Sequence, residues 1–167
     1  MRQSMRIGVA AAMVGAALFT AANAVGHCEI PCGIYGDKMR FEQLREHFET
    51  IEKSMRKIDE LSAASDKNYN QIVRWVNNKE AHANKVQEIV YQYFLNQRIK
   101  PVEEEDSPGW DKYVQETTLL HKMLVAAMKC KQGTDTGDVE RLRDLLDRFE
   151  DSYFGEEEHQ HLEHHHD

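Results

Sequence analysis

Apolar residues recur at helical spacing along four separate stretches of this chain, and no segment sustains the apolar/polar alternation of a strand. In the first stretch Phe41, Leu44, Phe48, Ile51, Met55 and Ile58 step by three and four residues, with Glu, Arg and Lys between them. That is one stripe on an amphipathic helix of about seven turns. A second stripe, Tyr69, Ile72, Val73, Val76, Ala83, Val86, Val90 and Phe94, predicts a helix over about 66–98. Val114, Thr117, Leu120, Leu124 and Met128 mark a third over 110–131, and Val139, Leu142, Leu146, Phe149 and Tyr153 a fourth over 138–154. The breaks are legible too. Ser62 to Lys67 is polar, and Pro101 to Gly109 holds two prolines and the acidic run "EEED". "KQGTDTGD" offers Gly133 as a C-terminal cap and Thr136 or Asp138 as an N-terminal one. With the first helix placed at 37–63, the expectation is an all-α, antiparallel four-helix bundle.

Ahead of the helices stands a leader. Arg2 and Arg6 give it a positive start, Ile7 to Ala22 is uncharged and rich in Ala, Val, Leu and Phe, and small residues follow at Ala22, Ala24 and Gly26. This is the pattern of a secretory signal peptide over 1–26, which predicts an exported, periplasmic or extracellular protein. Cuts after Ala24 and after Gly26 both satisfy the small-x-small rule, and only the second makes His27 the first residue. An uncleaved anchor is the alternative, since a membrane span needs about 20 apolar residues. The processed chain is long enough for one domain with a sizeable core. The sequence carries 21 basic and 29 acidic residues, a net −8, and loses Arg2 and Arg6 with the leader, which leaves −10. Such a balance disfavours nucleic acid and anionic lipid as partners.

Chemistry concentrates where the leader ends. Cys28 and Cys32 enclose Glu29, Ile30 and Pro31, a spacing within the range of thiolate metal ligands, and equally that of a small disulfide loop in an exported chain. His27 tips the balance. With cleavage after Gly26 one short segment offers an α-amino group, an imidazole, a backbone amide and two thiolates. Nitrogen and sulfur donors in that number suit tetragonal copper or nickel better than tetrahedral zinc. Pro31 stiffens the turn and Gly33 lets the chain close around it.

The stretch "HCEIPCGIY", residues 27–35, resembles the nickel hook of the nickel-containing superoxide dismutases, whose mature chains begin His-Cys-x-x-Pro-Cys-Gly-x-Tyr. The resemblance extends, more loosely, to about Tyr153 and Phe154. It implies a four-helix subunit that assembles as a homohexamer, one nickel per chain, and superoxide as substrate. It implies as nickel ligands the thiolates of Cys28 and Cys32, the amine of His27 and the amide of Cys28, with the His27 imidazole axial in the oxidised state. Tyr35 would stand at the mouth of the site as a gate and hydrogen-bond donor. Arg40-Phe41-Glu42 resembles the family's Arg-x-Glu, so Glu42 is the candidate to hydrogen-bond the imidazole. The loop before it is one residue shorter than in some members. Arg74 falls where the family places an arginine supporting the same network. Since the whole chain repels an anion, attraction of superoxide has to be local, from Lys38, Arg40, Arg74 or Lys79.

Other residues carry plainer expectations. His47, His82 and His121 read as isolated helical histidines rather than ligands. Met39, Met55, Met123 and Met128 read as core filler, and Cys130 as a spare thiol, buried or at the surface. The tail, residues 155–167, puts five of the nine histidines in the last nine residues. A histidine tract can bind metal, but "LEHHH" also reads as an expression scar, and no catalytic role is expected of it. Two other functions fit the hook: an exported copper or nickel carrier without turnover, and a helical structural protein with a Cys28–Cys32 disulfide. Metal analysis beside activity separates all three.

Overall fold

Phe41, Leu44, Phe48, Ile51 and Met55 are wholly removed from solvent and Ile58 nearly so, along one face of a helix that runs Asp37–Ala63, α1. The computed structural model describes residues 36–103 and 107–155. The leader, the hook at 27–35 with His27, Cys28, Cys32 and Tyr35, and the tail beyond Gly155 lie outside the described residues. The other helices are α2, Tyr69–Glu88, which continues as a wider segment over Ile89–Arg98; α3, Trp110–Gln132; and α4, Gly137–Phe154. The described chain is all-α, and its neighbours in sequence pack as antiparallel neighbours in space, with α4 closing back on α1. None of these helices is long and apolar enough to cross a membrane.

The second helix differs in detail from its prediction. It begins at Tyr69 rather than Asp66, because Asn68 is the residue that caps it, its side chain accepting from the Gln71 N–H at 3.1 Å. Its last ten residues wind as a π-helix, five residues between backbone donor and acceptor, as where Ile99 N–H donates to Phe94 O at 2.9 Å; the Gln97 side chain also donates from Nε2 to Gln92 O at 3.0 Å. The wider turn lets the adjacent pair Tyr93 and Phe94 both face inward. Between α3 and α4, Asp135 supplies the cap, its Oδ1 accepting from Gly137 N–H at 2.9 Å; neither Thr136 nor Asp138 does.

Two stripes differ in phase from the sequence pattern. On α3 the buried face is Leu119, Leu120, Met123, Ala126, Ala127 and Cys130, whereas Val114 and Met128 are about two-fifths exposed. Tyr69 and Val73 are 71% and 56% exposed, because α2 gains a full complement of neighbours only from Lys79 onward. The reason lies in the Lys79 side chain. Buried at 3% exposure, its Nζ donates to the carbonyls of Cys130, Lys131 and Gly133 at 2.7–2.8 Å, so α3 ends at that level. Beyond it the end of α1 and the start of α2 project as a two-helix tip. Of the four methionines expected inside, Met55 and Met123 are buried, while Met39 and Met128 are exposed. Cys130 is buried and free, and burial pushes its thiol up to about 12, an inert residue of the core.

Candidate metal centre

The hook joins the bundle at Gly36, so the first turn of α1 is its root. Asp37, an acid in that first turn where the helix dipole favours one, is held from three sides. Tyr93 Oη donates to its Oδ1, Tyr153 Oη donates to its Oδ2 at 2.9 Å, and Arg98 Nη2 pairs with Oδ1 at 2.8 Å. Arg98 also donates to Tyr93 Oη at 2.9 Å. Burial, and then the hydrogen bond to Asp37, raise the Tyr93 hydroxyl above its ordinary value, and burial does the same at Tyr153. Both remain donors at neutral pH. One carboxylate thus ties the start of α1 to the ends of α2 and α4.

Directly above this clamp Phe41, Phe94 and Phe149 pack with centroids 5.0–5.5 Å apart, one ring from each of the same three elements. On its outer side the guanidinium carbons of Arg40 and Arg98 lie 4.9 and 5.0 Å from the Tyr93 ring centroid. The Nε atoms of both arginines are buried with no hydrogen-bond partner among the described residues. Two orphaned donors beside the point where the hook joins α1 fit a segment that offers carbonyl and sulfur acceptors. The donors the hook's own residues offer, the Cys28 and Cys32 thiols with amide and imidazole nitrogen, fit nickel on their chemistry.

Glu42 and Arg74 are both solvent-exposed. Glu42 sits on the first turns of α1, with Arg45 Nη1 4.0 Å from its carboxylate. Arg74 does not join it. The Ser54–Asn78 hydrogen bond at 3.0 Å and the His47–His82 contact at 3.2 Å fix the register of α1 against α2. That register sets Arg74 level with about residue 57, four turns of α1 and roughly 20 Å from Glu42. Lys79 is likewise at the far end and committed to α3, which removes it as an attractor of superoxide; of the four expected attractors Lys38 and Arg40 are the ones on the first turn of α1.

Asp37, Tyr93, Arg98 and Tyr153 are the residues that sequence reasoning missed. They come from three distant stretches, and the five-residue step from Tyr93 to Arg98 shares a face only on a π-helix. His47 and His82, read as isolated, are instead paired across α1 and α2. Among the described residues no group of three His, Cys, Asp or Glu stands together as a metal site.

Comparison with known proteins adds the family. A family model for nickel-containing superoxide dismutases matches residues 21–157, which spans the hook and all four helices. No curated protein and no solved structure matches the chain.

Proposed function

The chain belongs to the nickel-containing superoxide dismutase family, and from that membership we propose how its own residues serve the reaction. The activity is the disproportionation of superoxide, 2 O2·− + 2 H+ → O2 + H2O2, with nickel as cofactor. Bound nickel supplies a centre with two oxidation states one electron apart, so a single ion serves both halves of the reaction. His27, Cys28 and Cys32 hold it, since thiolate and deprotonated amide are donors strong enough to bring the higher state within reach. The observation that carries this reading is the run from His27 to Tyr35 lying inside the family match.

The remaining roles follow from position. Arg40 and Arg98 donate their Nε–H groups to the hook and fix its root on the Asp37 clamp, while Lys38 and Arg40 give the approaching anion a locally positive field. Tyr35 gates the mouth. Glu42 accepts from the His27 imidazole. Arg74 reaches the same imidazole only from a second copy of the chain, and the projecting tip that carries it, with Tyr69 and Val73 exposed, is a surface suited to that contact. The active form is therefore an oligomer, a hexamer by the family's pattern.

Export and activation are one event in this reading. The amine of His27 becomes a ligand only when the bond after Gly26 is cut, and the leader is built for such a cut. Protein prepared to begin at His27 should hold about one nickel per chain and consume superoxide, whereas protein beginning at Val25 should bind nickel weakly and lack turnover. An active enzyme that begins at Val25 would overturn the assignment of the amine.

A further inference from the structure

Beyond the first turns of α1, that helix and α2 bring two imidazoles together. His47 Nδ1 and His82 Nδ1 are 3.2 Å apart, with the rings at 81° and their centroids 5.0 Å apart. His47 stands three turns beyond Gly36, roughly 16 Å along the helix. Between two neutral rings this contact is one hydrogen bond, Nδ1–H to the facing lone pair. It is also the separation of two ligands on one metal. With metal–nitrogen bonds of about 2.0–2.1 Å, nitrogens this far apart subtend roughly 100° at the ion, between the square and the tetrahedral angle.

We propose that His47 and His82 form a second metal site, built without any residue of the hook, that takes an imidazole-preferring divalent ion through both Nδ1 atoms and completes its coordination with water. The helices that carry the rings are locked in register on both sides of the pair, by Ser54–Asn78 and by the buried Val86 and Val90, so the spacing is preformed and the rings need only turn to aim both lone pairs at one ion. Protons do not compete at neutral pH. Burial, then the facing ring and the Lys85 ammonium, bring His47 down to about 4, and burial lowers His82 as well. Arg40 and Lys85 oppose a dication, but Glu46 and Glu88 line the same cleft of about 350 Å³ as His47 and balance the two charges.

The proton count closes. The ring that donates in the metal-free pair moves its hydrogen from Nδ1 to Nε2, both rings then present Nδ1 lone pairs, and none is released. With only two protein donors the ion exchanges readily, unlike one held in a closed four-ligand site. Copper binds ahead of nickel and zinc in such a site, by the general order of divalent affinities.

The test is a titration of the nickel-loaded full chain beginning at His27, labelled with nitrogen-15 histidine, with zinc(II), which is diamagnetic and cannot oxidise the thiols. Through-space contact between the two rings assigns them in the parent protein, so the readout does not depend on a variant folding. His47 and His82 should shift together along one saturating curve, and both should report the Nε2–H tautomer. In H82Q the shift at His47 should disappear, with dismutase activity and helix content unchanged. The proposal fails if both Nδ1 resonances keep their metal-free positions at zinc concentrations that saturate the histidines of 159–166, or if His47 responds equally in H82Q.

Discussion

Asp37 shows how a single side chain can set the position of a site it does not belong to. Three donors from two other elements converge on its carboxylate, so the chain leaves the bundle toward the hook from a fixed point. Asp37→Asn keeps the shape but leaves Arg98 without its countercharge and puts amide hydrogens against donors. It should lower stability by about 1–3 kcal/mol, read by denaturant unfolding. Activity should fall further than the folded fraction does; an Asp37→Asn chain that is less stable yet fully active would separate the clamp from the hook. His47 gives a pH prediction. Its ordinary value is 6.5 and the fold lowers it to about 4. Between those values the unfolded chain binds a proton that the folded chain refuses, so stability falls as pH drops through that window and is unaffected above it. The loss should be about 1–2 kcal/mol, less than the full linkage value because the ring is only half-buried and water screens it. His47→Gln should flatten the stability curve between pH 6.5 and 4, and an unchanged slope would assign it to other groups.

At the scale of elements, legibility follows periodicity. The stripe from Phe41 to Ile58 reads correctly because every third or fourth position is large and apolar and all of α1's inner face is covered. On α3 alanines take buried places that a search for large residues skips, so the apparent face is rotated by about a residue, and Met128 and Val114 are drawn inward wrongly. Local pattern also cannot see that a lysine will be sunk. Lys79 carries the charge of a surface residue, and only the fold brings the end of α3 to it. Its role predicts a sharp response: Lys79→Met fits the stem's volume but leaves three carbonyls without their donor. The variant should lose about 2–4 kcal/mol, visible as a lowered Tm. Activity per folded, nickel-loaded chain should survive, since this contact lies far along the bundle from Gly36, where the hook joins; a stable variant would mean that water replaces the ammonium. The hook is the reverse case. Its residue order can be read from nine positions, whereas the clamp that supports it joins residues more than fifty positions apart and has no signature in the chain.

For the whole molecule, the register of α1 against α2 puts Arg74 at the far end of its own subunit from Glu42, and that geometry makes a prediction about assembly. If Arg74 serves the imidazole of another subunit, the defect of Arg74→Ala belongs to the neighbour's hook rather than to its own. Alone, the Arg74→Ala protein should lose about 10- to 100-fold in activity, the range for groups that orient a ligand, while a Cys28→Ser, Cys32→Ser chain should be inactive because serine oxygen is a poor substitute for thiolate at this metal. Mixed oligomers reassembled from the two should recover activity. The serine chains donate intact arginines, and the Arg74→Ala chains provide intact hooks. Oligomers of each variant alone, at the same total nickel, set the baseline. Recovery above that baseline, rising as the serine chains come into excess, places Arg74 across a subunit boundary. Mixtures that only average the two parents would confine each arginine to its own chain or take it out of the site, and the hook would then need no second copy to complete it.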